Sequence, residues 1–149
     1  MKMVVFMEKF NDILRDLILD SGLSLRKLSA LSKVSSTQYS SYLKDSIPKI
    51  DVAVRIADFF DCSLDYLFGL TEERKTRKYK KYDMSVFVSR YEKALELNKI
   101  THWKFSKQSG LAESSLRHWK LYGGMPTMES LVIIADGLST SIDYLIGRY

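Results

Sequence analysis

Residues able to perform covalent or metal chemistry are scarce in this sequence. It contains one cysteine, Cys62, and two histidines, His102 and His118, and neither histidine lies at metal-ligand spacing from a cysteine or a carboxylate cluster. No glycine-rich phosphate-binding loop is present. Cys62 lies in an apolar stretch, where a buried structural thiol is more common than a nucleophile. We therefore expect no enzymatic activity, no metal site and no cofactor.

The polar chemistry of the chain is concentrated instead in a short basic segment, residues 72–82. The whole chain carries a net charge of +5, and this segment, with six basic and two acidic residues, accounts for +4 of it. A solvated linker is the ordinary explanation of such a run, but clustered cations also attract polyanions. Its basic residues are Arg74, Lys75, Arg77, Lys78, Lys80 and Lys81.

The basic segment separates two halves of the chain that repeat each other. The motif Ser-x-Asp-Tyr-Leu-x-Gly of residues 63–69 returns at 141–147, at an offset of 78 residues. Upstream, residues 27–29 match 104–106 at an offset of 77. The one-residue difference falls in a predicted turn, where insertions are tolerated. Two copies of this length indicate two small domains rather than a solenoid.

Apolar residues at helical spacing, with Ser or Thr before each run, predict five short helices in each copy. No strand-like alternation is visible beyond the first few residues. We therefore predict an all-α protein with a domain at 1–71, a basic linker at 72–82 and a domain at 83–149. Trp103 and Trp119 lie at core-like spacing, so we expect both to pack inside the second domain.

Helices two and three of each copy are separated by a turn of a few residues, and the third helix is polar. In the second copy the positions that define this pattern are Phe105, Ser106, Gly110, Leu111, Leu116 and Trp119. In the first copy they are Leu28, Ser29, Val34, Tyr39 and Tyr42. The pattern resembles the helix-turn-helix of the lambda-repressor-like family, also called Cro/cI or XRE. The resemblance extends over nearly the whole chain outside the linker.

The first copy departs from the family pattern at the turn, where Lys33 replaces the usual glycine. If this position requires a positive φ, a residue with a side chain is strained there by about 1 kcal/mol.

The resemblance implies that the third helix of each copy places its polar face in the major groove of DNA. The contact positions of the first copy are Ser36, Thr37, Gln38, Ser41 and Lys44. Those of the second copy are Glu113, Ser114, Ser115, Arg117, His118 and Lys120. Gln38 can read adenine and Arg117 guanine, so the copies are expected to read different half-sites. The alternative for both faces is an ordinary solvated helix surface.

Backbone phosphates are a second expected target. The start of the second helix in each copy offers Arg26, Lys27, Lys104 and Lys107 as candidate phosphate contacts. Six contacts from the linker alone would give a log–log salt slope of about −5. A fully extended linker would reach about 40 Å, against about 34 Å between half-sites one turn apart.

These features predict a sequence-specific double-stranded DNA-binding protein, a repressor-like regulator of transcription. The alternative is a degenerate helix-turn-helix that binds another protein and modulates another regulator. Val4, Val5 and Phe6 either cover the first core or pair two copies as a homodimer. No membrane span and no small-molecule ligand are expected, and the apolar N-terminal run is too short for a signal peptide. We expect a cytoplasmic location.

Overall fold

The structure, a computed structural model, describes residues 2–149, and their side chains from residue 5 onward. Within that range it contains ten α-helices, one 3₁₀ turn at Met84–Val86 and no strand, which confirms the predicted all-α fold. The helices are α1 (Lys2–Ser21), α2 (Leu25–Ser32), α3 (Ser36–Tyr42), α4 (Ile50–Phe59), α5 (Leu64–Leu67), α6 (Phe87–Leu97), α7 (His102–Ser109), α8 (Ser115–Leu121), α9 (Met128–Gly137) and α10 (Ile142–Leu145). None of the helices described is both long and apolar enough to cross a bilayer.

The chain divides between Arg77 and Lys78 into two compact units. Unit 1 contains α1–α5, and unit 2 contains the 3₁₀ turn and α6–α10. Each end of the basic segment is bonded to its own unit. The Ser63 backbone nitrogen donates to the Arg74 carbonyl at 3.0 Å, and the Lys80 nitrogen donates to the Arg148 carbonyl at 2.8 Å. The expected reach of about 40 Å for an extended linker would therefore require both bonds to break.

The core of unit 1 forms along one face of α1. Phe10, Leu14 and Leu17 recur at the i, i+4, i+7 spacing of a helical stripe, and all three are buried. The Phe10 ring stacks on Phe68 with centroids 4.8 Å apart, which joins α1 to the end of α5. At the start of α1, Phe6 is also buried, as expected if it covers the core, whereas Val5 is 48% exposed. The side chain of Val4 lies outside the described residues.

Capping residues determine where α2 and α3 of unit 1 begin and where α2 ends. Ser24 caps α2 by accepting from the Lys27 nitrogen, and Ser35 caps α3 by accepting from the Gln38 nitrogen. Lys33 ends α2 in the left-handed conformation, with φ +61°. The turn therefore requires the positive φ that makes a non-glycine residue strained, and Lys33 adopts it.

The core of unit 2 is more aromatic. Tyr91 of α6 lies between Phe105 and Trp119, whose rings are 6.3 and 5.7 Å from its own. Trp119 is buried as predicted, but the prediction for Trp103 is wrong: its side chain is 57% exposed. Phe105 takes the inward face of α7, so Trp103, two residues earlier, lies on the outer face.

Candidate nucleic-acid interface

The third helix of unit 1 is fastened to the core by two tyrosines. Tyr39 and Tyr42 are both buried, so α3 turns its remaining polar side chains outward. The Tyr39 hydroxyl lies 2.6 Å from Ser32 Oγ, which itself donates to the Leu28 carbonyl. Burial raises the pKa of the Tyr39 phenol, an effect that the Ser32 hydrogen bond partly offsets. The fixed orientation of α3 follows from these inward contacts.

The N-terminus of α3 is closed by a capping box between Ser35 and Gln38. The Ser35 nitrogen donates to Gln38 Oε1 at 3.0 Å, and the Gln38 nitrogen donates to Ser35 Oγ at 3.1 Å. Bidentate recognition of adenine needs both the oxygen and the amide nitrogen of a glutamine. Because Oε1 is already occupied, Gln38 would have to leave the capping box to read adenine in this way.

The other candidate positions of α3 differ in how accessible they are. Thr37 and Lys44 are exposed, and Ser36 is half-buried. Ser41 Oγ lies 2.6 Å from Ser46 Oγ, in the loop that follows α3. The surface that α3 presents to a partner is therefore small and rich in hydroxyl groups, with one cation at its end.

The third helix of unit 2 begins later than its counterpart. At the position 77 residues after Ser35 the chain has Ala112, which has no hydroxyl with which to cap a helix. Accordingly, α8 begins at Ser115, and Ser114 precedes it in a helical conformation without a side-chain cap. The predicted contact residues Glu113 and Ser114 thus lie in the turn, while Ser115, Arg117, His118 and Lys120 lie on the helix.

Glu113 in this turn is held by two contacts from α7. Its carbonyl accepts from His102 Nε2 at 2.8 Å, and its carboxylate lies 3.7 Å from Lys107 Nζ. Because a carbonyl can only accept, His102 Nε2 carries a proton and Nδ1 lies 2.6 Å from the Tyr91 hydroxyl. Lys107 also lies over the Trp103 ring, at 5.6 Å from its centroid. These contacts position the turn but leave the Glu113 side chain exposed.

The three cationic or imidazole side chains of α8, all of them exposed, differ in whether they already have a partner. Arg117 and His118 are exposed, and Arg117 forms no hydrogen bond or ion pair within residues 2–149. Lys120, in contrast, reaches Glu92 of α6, with 3.3 Å between Nζ and Oε2. The structure therefore leaves Arg117 as the cation of α8 best placed for an external partner.

An open groove of about 530 Å³ runs beside α8. Its lining residues are Ser114, Ser115, Arg117, His118, Trp119, Tyr122, Met125, Thr127 and Ser130. Of these residues, Tyr122, Met125, Thr127 and Ser130 were not predicted as site residues from the sequence. Their position in the chain could have predicted them, because residues that directly follow a helix of the site border the same surface.

The candidate phosphate contacts at the second helices are all on the surface. Arg26 and Lys27 at the start of α2 are exposed, as are Lys104 and Lys107 of α7. The ammonium group of Lys107 already pairs with the Glu113 carboxylate, so a DNA phosphate would compete with that carboxylate for it.

All six candidate phosphate contacts of the basic segment are exposed, and two of them contact the residues that follow α4. Arg74 donates through Nη2 to the Phe60 carbonyl, and Lys75 Nζ lies 2.6 Å from Asp61 Oδ1. The Lys75 hydrogen bond lowers the pKa of the Asp61 carboxyl. The remaining cations, all exposed, are Arg77, Lys78, Lys80 and Lys81. Because the Lys75–Asp61 pair is itself exposed, a phosphate can replace Asp61 at little cost.

The match to a family model lies within unit 1. Residues 14–67 match the family model described as Helix-turn-helix. Over 49 residues the chain is 42% identical to the cryptic phage CTXphi transcriptional repressor RstR of Vibrio cholerae serotype O1. That alignment covers 33% of this chain and 44% of the relative, so the chain spans less than half the length of the protein it matches. No solved structure matches the chain. The family model thus identifies a helix-turn-helix domain at residues 14–67.

Proposed function

We propose that this protein is a repressor-like regulator of transcription that binds double-stranded DNA sequence-specifically, with α3 and α8 in the major groove. The observation that carries the proposal is the α2–turn–α3 segment, which lies inside the matched residues 14–67. Its third helix buries two tyrosines and exposes only polar side chains at the candidate contact positions. A helix of this kind fits the major groove and can reach base edges there.

The two reading helices differ in chemistry. Ser36 and Thr37 of unit 1 offer short hydroxyl groups, which make permissive hydrogen bonds to several bases. Arg117 of unit 2 offers a guanidinium without an intrachain partner, and bidentate pairing of arginine with guanine is the commonest specific contact. Unit 2 is therefore expected to contribute the stronger base discrimination, and the two halves of the DNA site should differ in sequence.

Repression is the direction of regulation that the comparison supports. The relative matched by this chain is named a transcriptional repressor. A protein that occupies a promoter with two helices and a basic segment blocks it without catalysis, so the proposed regulator is a binding protein and not an enzyme.

A second candidate function rests on the surface of unit 2. Leu121, Tyr122 and Met125, at and after the end of α8, are 65%, 69% and 55% exposed. Exposed apolar side chains of this size mark protein interfaces more often than DNA interfaces. In this alternative, unit 2 binds another regulator and only unit 1 contacts DNA.

Selection from a random duplex library at near-physiological salt tests the proposal. The wild-type chain should enrich a motif with two parts. Thr37→Ala should relax the preference in one part and Arg117→Ala in the other, whereas Lys93→Ala, which removes an exposed cation of α6, should change neither. If the folded wild-type chain enriches no motif, the proposal is wrong. If the enriched motif contains only the part that depends on Thr37, the second candidate function is favoured.

A further inference from the structure

The loop after α8 folds back onto one residue of that helix, His118. The His118 carbonyl accepts hydrogen bonds from the backbone nitrogens of Tyr122 at 3.1 Å and Gly124 at 3.3 Å. The imidazole lies directly against Gly124: a Cβ added to that glycine would be 2.2 Å from His118 Cδ2 and 2.6 Å from Nε2. These separations are far below van der Waals contact, so the imidazole occupies space that only a glycine leaves empty.

The requirement for glycine at this position is steric. Gly123 has a φ of +65°, but Gly124 is not among the residues with positive φ. A positive φ is therefore not what calls for glycine here, and a side chain at this position would meet the imidazole of His118. The contact with His118 is the reason visible in the structure.

The imidazole has a second neighbour, the ring of Tyr122. The Tyr122 ring lies 5.8 Å from it, centroid to centroid, at an interplanar angle of 43°. The Cδ2–Nε2 edge of the imidazole faces Gly124, so Nδ1 lies on the opposite edge. The side chain is nevertheless exposed and borders the groove beside α8. His118 thus combines access to a partner with a restricted orientation.

Unit 1 makes the corresponding contact with different chemistry. Ser41 precedes His118 by 77 residues, the offset of the repeat in this part of the chain. Its carbonyl accepts from the nitrogens of Lys44, Asp45 and Ser46, at 3.1 to 3.3 Å. Its side chain is held by Ser46, with 2.6 Å between the two Oγ atoms. In each unit the loop after the reading helix therefore holds the same helix position.

A held side chain discriminates better than a free one. Hydrogen bonds weaken steeply when donor and acceptor are misaligned, so a side chain with one orientation can satisfy few base edges. A side chain that is already ordered also loses less conformational entropy when it binds. A freely rotating serine or histidine, in contrast, can adapt to several bases.

We propose that Gly124 and Ser46 are positioning residues. Gly124 sets the base preference of His118, and Ser46 sets that of Ser41. Each pair determines the preferred base at one position in its half of the DNA site. This proposal rests on the proposed function, namely that α3 and α8 read DNA. The loop residues act through the helix residues and need not touch a base themselves. Their effect is therefore on which base is preferred, and not on contact with the phosphates.

The test compares two neighbouring glycines in the full-length chain. Gly124→Ala places a methyl group where the imidazole lies, and the exposed imidazole can rotate away, so the fold should persist. Gly123→Ala strains the backbone but meets no atom within 4 Å, so it controls for a general disturbance of the loop. The measurement is the relative affinity for the four bases at each position of the enriched duplex, with circular dichroism to establish folding.

We expect Gly124→Ala to reduce discrimination about tenfold at the one position that His118→Ala also affects, while Gly123→Ala leaves that preference unchanged. The double variant should match His118→Ala alone, because the glycine acts through the histidine. In unit 1, Ser46→Ala should reproduce the loss of preference caused by Ser41→Ala.

Two outcomes would overturn the inference, and they are distinguishable. If the wild-type chain enriches a motif and Gly124→Ala keeps the His118-dependent preference, the positioning role is wrong while the proposed function stands. If the wild-type chain enriches no motif, the proposed function fails and this inference fails with it.

Discussion

Gln38 and Ser35 form a reciprocal pair in which each side chain accepts a hydrogen bond from the other residue's backbone nitrogen, at 3.0 and 3.1 Å. This pair closes the first turn of α3 and uses the oxygen that Gln38 would need to recognise adenine. The residue of unit 1 that the sequence predicts as an adenine reader is therefore also a structural residue of α3.

Gln38→Ala should lower the free energy of unfolding of unit 1 by about 1 kcal/mol, because it removes half of the capping box. Gln38→Glu keeps an acceptor for the Ser35 nitrogen and should be close to neutral. Urea unfolding of the two variants measures the difference. A Gln38→Ala variant as stable as the wild type, with base preference lost, would identify Gln38 as a reader instead.

Lys33 and Gly110 end the second helices of the two units with positive φ, at +61° and +83°. Lys33→Gly should remove strain and stabilise unit 1 by up to about 1 kcal/mol, whereas Gly110→Ala should destabilise unit 2 by a similar amount. A Cβ at Gly110 meets no atom within 4 Å, so this cost is conformational only. Thermal unfolding of both variants tests the pair. Equal signs for the two changes would contradict the strain argument.

Asp143 and Arg148 form a buried ion pair in unit 2, with 2.6 Å between Oδ1 and Nη1 and both side chains 1% exposed. Asp143→Asn leaves the guanidinium charge buried without its counter-ion, so we expect a loss of about 3 to 5 kcal/mol in unfolding free energy. Glu92→Gln, which breaks the exposed pair with Lys120, is the control and should cost less than about 1 kcal/mol. Similar costs for the two variants would show that the buried charge finds another partner.

Tyr91 makes the stability of unit 2 sensitive to alkaline pH. Burial raises the pKa of its phenol, while in the unfolded chain the group titrates near its ordinary value of about 10. The unfolded state therefore loses this proton first, so stability is complete below about pH 10 and falls as the pH rises further.

In Tyr91→Phe the alkaline loss in unit 2 should be smaller, although the hydrogen bond to His102 is lost at every pH. Unfolding free energies measured between pH 8 and 11 by denaturant titration test this. An unchanged pH dependence would show that another group causes the alkaline loss. Tyr39, whose pKa is also raised by burial, should keep unit 1 sensitive in the same variant.

The basic segment should contribute a salt-dependent part of DNA affinity. Replacement of Lys78, Lys80 and Lys81 by serine removes three exposed cations. The negative slope of log affinity against log salt concentration should become shallower by about 3. The base preference should persist, because phosphate contacts carry no sequence information. Binding titrations at several salt concentrations measure the slope. A slope that does not change would exclude these lysines from the interface.

The features predicted correctly from the sequence depend on short-range chemistry. A Ser or Thr before an apolar run predicts a helix cap, because its hydroxyl can bond to a nitrogen three residues later. Ser24, Ser35 and Thr101 are caps of this kind. Cys62 was expected to be buried, and it is. The strain expected at Lys33 also follows from local backbone geometry alone.

The features that the sequence did not reveal depend on contacts between elements. The spacing of Trp103 suggested a core position, but only the packing of α7 decides which face is covered. In the sequence, the two adjacent glycines before Met125 predict only an ordinary turn. They do not show that the side chain of His118 fills the space beside Gly124.

Sequence-specific DNA binding can be measured as the affinity of the full-length chain for its selected duplex relative to a scrambled duplex of equal length, at one near-physiological salt concentration. A sequence-specific protein should prefer the selected duplex at least about 1000-fold. The ratio should fall for Thr37→Ala and for Arg117→Ala but not for Lys93→Ala. A ratio near one for the folded wild-type chain would show that the protein does not bind DNA sequence-specifically.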